Sequence, residues 1–158
     1  MRNRGFTLIE LMVTVVILGL VIGMGLPAFS SLGNSMGQRQ AREELRQRLR
    51  MARQAAVTRH CPVIVSFGDG STLTGITTYS VLVDVNGDLQ KQSTEPVSNY
   101  TLRRGCSMTL SGFTPTDTLE FDLSGALLPG TTGGRFYLQG SRTPDTLQIS
   151  GIGMVYRP

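Results

Sequence analysis

The sequence feature that most constrains the fold is a run of uncharged, mostly apolar residues near the amino terminus. No charged side chain lies between Leu11 and Phe29, and the run reads LMVTVVILGLVIGMGLPAF. About 20 consecutive apolar residues are enough for a helix to cross the hydrocarbon core of a bilayer. The sequence therefore predicts a hydrophobic helix that needs a membrane, or other helices, around it.

Charged and small residues at the start of this run indicate what happens to it. Arg2 and Arg4 precede the run, and Glu10 lies just inside its amino-terminal edge. A carboxylate at membrane depth is costly unless it is paired, so Glu10 is a candidate functional residue. In a secretory signal peptide the small cleavage-site residue follows the apolar core. Here Gly5 precedes the core, so we expect the hydrophobic helix to be retained.

The stretch Arg4-Gly5-Phe6-Thr7-Leu8-Ile9-Glu10 resembles the processing motif of the type IV pilin superfamily, which includes the pseudopilins of type II secretion. The resemblance implies that a prepilin peptidase cuts between Gly5 and Phe6 at the cytoplasmic face and methylates the new amino terminus, Phe6. It also implies that Glu10 pairs with the terminal amine of Phe6 in an adjacent subunit during assembly.

A proline lies within the hydrophobic helix. Pro27 removes a backbone hydrogen bond and should kink or loosen the helix. Gly19 and Gly23 form a small-xxx-small pair, which permits close helix approach. In the pilin family the region around such a proline can melt when subunits pack into a filament, which implies an assembly role for Pro27. A tolerated bend without such a role is the alternative.

Residues 33–60 have the pattern of an amphipathic helix. Apolar side chains recur at helical spacing along one face, at Ala41, Leu45, Leu49, Ala52 and Ala56. Seven arginines against two glutamates between positions 39 and 59 give this stretch a local charge of +5, which exceeds the formal net charge of +4 of the whole chain. Three interpretations of these arginines stay open: a solvated face, contacts with lipid headgroups or neighbouring subunits, and DNA binding. Pro62 ends the helix near His60.

The remainder of the chain predicts an all-β domain. Short alternating apolar runs are separated by Gly, Ser, Thr and Pro. Asn86-Gly87 predicts a tight hairpin turn. The predicted strands are 62–67, 77–85, 88–92, 100–103, 108–110, 118–122, 126–128, 135–139, 145–150 and 153–156. One face of this sheet should pack on Leu45, Leu49 and Ala52.

A second resemblance covers the helix end and the first strand. Residues 49–59, followed by Pro62-Val63-Ile64-Val65, are similar to the GspH/FimT group of minor pilins and pseudopilins, as is Asp84-Val85-Asn86-Gly87. The predicted fold class is α+β and pilin-like, with a long amino-terminal helix packed on a carboxyl-terminal antiparallel β-sheet domain. We divide the chain into a prepilin leader (1–5), a transmembrane or filament-core helix (6–32), an amphipathic helix half (33–60) and a β-rich domain (61–158).

The two cysteines, Cys61 and Cys106, lie in the part expected outside the cytoplasm, where a disulfide is permitted. A bridge between them would close a long loop. Two separately buried thiols are the alternative, because the sequence gives no distance.

The sequence predicts no metal, no cofactor and no enzymatic activity. Asp84 to Asp88 suggests a calcium loop, but an EF-hand needs glycine at the sixth position, where this chain has Leu89. His60 is the single histidine, and no catalytic triad pattern is visible. We therefore expect no catalytic residues.

DNA binding is an alternative function. Some FimT-like minor pilins bind DNA through basic residues near the carboxyl terminus, and by this resemblance Arg157 is a candidate contact. The arginines that could join it in space are Arg103, Arg104, Arg135 and Arg142. Nonspecific DNA binding needs several phosphate contacts.

The resemblances together imply a non-enzymatic minor pilin or pseudopilin. It is expected to span the inner membrane once, with its carboxyl-terminal domain in the periplasm, and to enter a type IV pilus or type II secretion pseudopilus near the tip, priming assembly. The implied partners are the prepilin peptidase, other minor and major pilins or pseudopilins, the inner-membrane assembly platform, and the lipid bilayer before assembly.

Overall fold

The structure, a computed structural model, describes residues 7–158 without residues 91, 93, 116, 141 and 142, and without the side chains of residues 24–35. The predicted processing residues Gly5 and Phe6 and the candidate DNA contact Arg142 lie outside the described residues. The side chain of Pro27 also lies outside them.

A long helix, α1, spans Leu8–Arg59 and contains 52 residues. At 1.5 Å per residue its length is about 78 Å. Thr7 caps its amino terminus in an extended conformation, and His60 ends it in the left-handed region at φ 52°. The helix is continuous through position 27 and through Gly33, because isolated residues of low helix propensity are tolerated between longer helix-forming segments.

In the part of the chain that the structure describes, eight short strands follow the helix and form two antiparallel sheets. Their bounds are β1 Val63–Phe67, β2 Thr78–Val83, β3 Val97–Thr101, β4 Ser107–Ser111, β5 Thr118–Phe121, β6 Arg135–Gln139, β7 Asp145–Ile149 and β8 Val155–Tyr156. One sheet has the order β3-β2-β1-β5, and the other has the order β4-β6-β7-β8. In the first sheet Val65 of β1 lies opposite Val81 of β2 on one side and Leu119 of β5 on the other.

The hydrophobic core lies between α1 and the two sheets. The helix contacts strands of both sheets, and its residues Leu45 and Leu49 are almost fully buried. An aromatic cluster joins the sheets, since the ring of Phe67 on β1 lies 5.2 Å from that of Phe136 on β6 in an edge-on arrangement. Such contacts fix how the two sheets pack against each other.

The predicted fold class is confirmed. The structure is α+β, with the long amino-terminal helix packed on an antiparallel domain. The sequence predicted β6 with the bounds that the structure has. The predicted strand at 126–128 is present only as a single bridge between Phe121 and Leu127.

The predicted hairpin at Asn86-Gly87 is wrong. Residues 88–92 contain no strand among the described positions, and β2 pairs instead with β3, which begins at Val97. The buried carboxylate of Asp84 accepts hydrogen bonds from the backbone N–H groups of Gly87, at 2.7 Å, and Leu89, at 2.8 Å. Because Asp84 holds the chain in a wide loop, the Asn-Gly pair does not close a two-residue turn.

Candidate functional site

The most unusual surface of the molecule is the first half of α1. Twelve large apolar side chains between Leu8 and Ile22 are exposed, with exposed fractions from 51% at Val13 to 77% at Leu8. They occupy every face of the helix, because apolar residues fill nearly every position of this stretch. A contiguous apolar surface of this extent marks a membrane or protein interaction site. We name the segment Leu8–Ile22 the free apolar half.

The amino-terminal end of this half contains its one acidic residue. The backbone N–H of Glu10 donates to the Thr7 hydroxyl, at 3.4 Å, and to the Thr7 carbonyl, at 3.1 Å. Thr7 and Glu10 have the spacing of a capping box, in which the first residue caps the helix and the acid stands at its third position. An acid in the first turn is also favoured by the helix dipole. Glu10 therefore occupies a position where an acid favours the start of α1, which the sequence analysis did not include.

Gly19, within the free apolar half, and Gly23, just after it, leave the helix surface open. A Cβ atom added at Gly19 or Gly23 would meet no atom within 4 Å. The small-xxx-small pair thus offers a shallow surface on which another helix could approach closely.

Among the described residues, no helix provides an apolar stretch long enough to cross a membrane.

The second half of α1 is anchored to the sheets by polar contacts as well as by its apolar face. The buried side chain of Gln38 donates to the carbonyl oxygens of Leu138, at 3.0 Å, and Thr143, at 2.9 Å. Arg42 donates to the carboxylates of Asp145 and Glu43. The sequence analysis missed Gln38 and Asp145, which lie about a hundred residues from their partners along the chain.

Burial and charge act in opposite directions on Arg42. Partial burial lowers the pKa of the guanidinium, but the hydrogen bond to Glu43 and the negative charge of Asp145 outweigh it and raise the pKa above its ordinary value. Arg42 is therefore a permanent cation that holds Asp145 against the helix.

The seven arginines between positions 39 and 59, which we name the arginine band, include several that contact different parts of the domain. Arg53 donates its Nε–H to the carbonyl of Gly125, at 2.9 Å. The guanidinium of Arg48 lies 4.4 Å from the ring centre of Tyr100. The band is therefore partly a set of contacts that dock the helix, in addition to the three interpretations made from the sequence.

An open cavity of about 510 Å³ lies where α1 joins the domain. Its lining residues include Gln38, Arg39, Arg42, Thr143, Asp145 and Arg157. The side chain of Arg157 is exposed, and its Nε lies 3.7 Å from the Asp145 carboxylate. The side chains of Arg42 and Asp145 are each only 16% exposed. We name this cavity the arginine cavity.

The candidate DNA contacts do not all gather at this cavity. Arg157 lines it. Arg103 lies beside Gly37 and donates a hydrogen bond to Gln40 on α1. Arg135 is exposed at the start of β6 and pairs with Gln148 of β7. Arg104 is exposed in the turn before β4.

The two cysteines are free thiols in the structure. Cys106 is buried and precedes β4, whereas Cys61 is half-buried after the end of α1. Burial raises the pKa of the Cys106 thiol, so this thiol is kept in its less reactive, protonated form. The disulfide between Cys61 and Cys106 is not formed in this structure and stays a prediction.

An acidic cluster in the loop after β2 has the geometry of a weak cation site. Carboxylate oxygens of Asp84, Asp88 and Glu95 lie within 4.8 Å of one another. The carboxylates already accept backbone hydrogen bonds, those of Glu95 from the N–H groups of Val85, at 3.2 Å, and Gln92, at 3.1 Å. The cluster therefore organises the loop, and nothing in it points to a metal.

A long helix with one free apolar half, whose other half packs on an antiparallel domain, is the architecture of a pilin-like α+β protein. Two family profiles match the chain. The profile described as type II transport protein GspH matches residues 41–153, and the profile of the prokaryotic N-terminal methylation motif matches residues 1–26. The chain belongs to the GspH family, which confirms the predicted membership. This is a family of structural subunits.

Solved structures support the same fold. The type IV minor pilin FimU of Pseudomonas aeruginosa, strain PAO1, matches in two crystal forms with a TM-score of 0.56 and 19% sequence identity. Each match covers 76% of this chain, and they cover 87% and 91% of the FimU chains. A comparison with curated protein sequences gave no match.

Proposed function

We propose that this chain is a minor pilin or pseudopilin that is cut after Gly5, methylated at Phe6, and held in the inner membrane until it enters a filament at or near its tip. The observation that carries the proposal is the free apolar half, which is continuous with a helix half already covered by the domain. Inside a filament, the helices of neighbouring subunits would cover it. The match of residues 1–26 to the N-terminal methylation motif supports the processing step.

Glu10 has two roles to separate in this proposal. Its carboxylate could pair with the terminal amine of Phe6 in the next subunit, because both charges are poorly solvated in an apolar filament core. Its place in the first turn, three residues after the Thr7 cap, would also allow its carboxylate to order the start of α1 as in a capping box. Glutamine at this position can still serve a capping box, but it carries no charge.

The test compares Glu10→Gln with Glu10→Ala in the native host. We expect both variants to be cleaved and methylated, and both to be lost from the sheared filament fraction by at least about tenfold, which corresponds to ~1.4 kcal/mol per subunit. Mass analysis of the mature chain checks processing, and quantitative immunoblotting of filaments checks incorporation.

The outcomes distinguish the two roles of Glu10. If Glu10→Gln assembles like the parent while Glu10→Ala does not, Glu10 acts through the cap and the ion pair is wrong. If neither variant is impaired, Glu10 has no role in assembly. A mature chain that does not begin with N-methylated Phe6 would refute the processing step.

The filament system is assigned by a deletion strain. Loss of surface pili indicates a type IV pilus subunit, which would place it beside FimU in function as well as fold. Accumulation of exoproteins in the periplasm indicates a type II secretion pseudopilin, in agreement with the description of the matched family. Lost transformation with intact pili would favour the alternative, a DNA-binding minor pilin.

A further inference from the structure

The arginine cavity lies at the end of the domain nearest the free apolar half. Gly37 and Gln38 are the first buried residues of α1 among those with described side chains, and Arg39 and Arg42 follow on the same helix. The opposite wall comes from distant parts of the chain, namely Thr143 to Asp145 and Arg157. Three cationic side chains thus converge at the point where the helix leaves the domain.

The charges inside the cavity do not cancel. Asp145 supplies one carboxylate in a half-buried pair with Arg42, and Glu43 at the rim also pairs with Arg42, so two carboxylates face three arginines. Arg157 lies at the longer distance of 3.7 Å from Asp145, and Arg39 is exposed. Asp145 therefore positions two guanidiniums while a net positive charge remains for an anionic group. Arginine binds phosphate oxygens in a planar, two-pronged geometry.

The height of the cavity along α1 matches the outer surface of a bilayer. The 28 residues from Leu11 to Gln38 contain no charge, and Arg39 is the first charged residue after Glu10. As a helix they span about 42 Å, and a bilayer measures ~40–45 Å including its headgroup regions. Arginine side chains on a helix tilt toward its amino terminus, so Arg39 would reach back toward the headgroup phosphates.

We propose that the arginine cavity binds the phosphate of an anionic lipid headgroup while the subunit waits in the membrane. This inference rests on the proposed function, because it requires the free apolar half to lie in a bilayer before assembly. The bound lipid would fix the depth and rotation of the subunit, and it would have to be released on entry into the filament.

Nucleic acid is a weaker occupant of this cavity. Nonspecific binding to DNA needs a track of several phosphate contacts. Arg104 and Arg135 do not line the cavity, and Arg103 is engaged with Gln40. A single pocket at the end of an apolar helix suits one headgroup better than a polyanion.

The test uses the full chain in detergent micelles with either phosphatidylglycerol or phosphatidylcholine, and native mass spectrometry counts the lipids retained per chain. The parent should retain phosphatidylglycerol in preference. The double variant Arg39→Gln/Arg157→Gln should lose that preference by about tenfold or more. Arg42 and Asp145 are left intact, so the pair that docks the helix stays in place.

The matched control is Arg50→Gln/Arg59→Gln, which removes the same charge from exposed positions of α1 outside the cavity. Equal loss of lipid in both double variants would overturn the proposal, because charge alone would then explain binding. Two further arms add inorganic phosphate or a DNA oligonucleotide. If either displaces the lipid and binds in a manner that depends on Arg39 and Arg157, the lipid is not the occupant.

Failure of the proposed function has a different signature. A chain that does not enter micelles or membranes at all refutes its membrane stage. A chain that enters them but shows no preference for phosphatidylglycerol refutes only the lipid site.

Discussion

The two halves of α1 belong to one continuous helix but have opposite surroundings. In the free apolar half, large apolar side chains are more than half exposed. In the second half, Ala41, Leu45, Leu49, Ala52 and Ala56 are at most 2% exposed. Both halves obey the same backbone geometry, so the difference comes only from which side chains are apolar and on which faces.

This difference shows that the chain supplies a partner for one half only. A helix with a single apolar stripe is satisfied by one sheet surface, and the domain provides it. A helix that is apolar on all faces needs to be surrounded. Within the described part of the chain nothing surrounds the free apolar half, and the proposed membrane and filament stages would supply the surface that it lacks.

The prediction with the largest expected effect tests whether only the second half of α1 stabilises the domain. Leu45→Ala removes a fully buried side chain and should lower the free energy of unfolding by about 2–5 kcal/mol. Leu18→Ala, at a position that is 58% exposed, should change it by less than about 0.5 kcal/mol. Urea unfolding of the full chain in micelles, followed by tyrosine fluorescence, measures both.

A comparable loss of stability in both variants would contradict the distinction between the two halves of α1. It would show that the free apolar half folds back on the domain and contributes to its core. Incorporation into filaments provides the converse measurement, since Leu18→Ala should act there and not on the isolated subunit.

The next prediction, with a smaller expected effect, tests whether the packing of α1 on the domain begins at Gln38. Gln38→Leu keeps an apolar stem but removes two hydrogen bonds, leaving the Leu138 and Thr143 carbonyls without their donor. The cost should be about 1–3 kcal/mol. Hydrogen exchange should also speed up in the loop that contains Thr143. Gln47→Leu, at an exposed position of the same helix, is the control and should be nearly neutral.

If Gln38→Leu has the same free energy of unfolding as the parent, the packing of the second half of α1 on the domain begins after Gln38. Arg42 and its contact with Asp145 would then be the first anchor. This outcome would also remove the structural frame of the arginine cavity.

Local patterns in the sequence were sufficient for the helix and for most strands. The spacing of Ala41, Leu45 and Leu49 predicted the buried face, and all three are buried. The alternation of Arg135–Gln139 predicted β6 with its observed bounds. These signals are local, because helix and strand periods are read over a few residues.

Contacts between distant residues could not be predicted in the same way. The Asn86-Gly87 pair has the sequence of a tight turn, but the burial of Asp84 decides the loop instead. Its carboxylate three residues before Gly87 was a signal that could have suggested a wider loop. The pairing of Gln38 with Thr143, and of Arg42 with Asp145, has no local signature at all.

The prediction with the smallest expected effect concerns how low pH weakens the contact between the domain and the second half of α1. The Asp122 carboxylate accepts hydrogen bonds from the N–H groups of Ser124 and Ala126, and this turn presents the Gly125 carbonyl to Arg53 on α1. The Ser124 hydroxyl and these N–H groups hold the pKa of Asp122 below its ordinary value. A carboxyl whose pKa is lowered by folding stabilises the fold above its unfolded pKa, near ~4, and loses that contribution as the pH falls through its folded pKa.

Asp122→Asn should therefore reduce stability at neutral pH, by less than about 1 kcal/mol because the group is largely solvated, and should flatten the loss of stability below pH ~4. Urea midpoints measured against pH test this expectation. Hydrogen exchange of the α1 amides near Arg53 should rise in this variant. The control is Asp69→Asn, since Ser71 likewise lowers the pKa of Asp69 but in a loop away from the helix. If both variants loosen α1 equally, the Asp122 turn has no special part in docking the second half of α1.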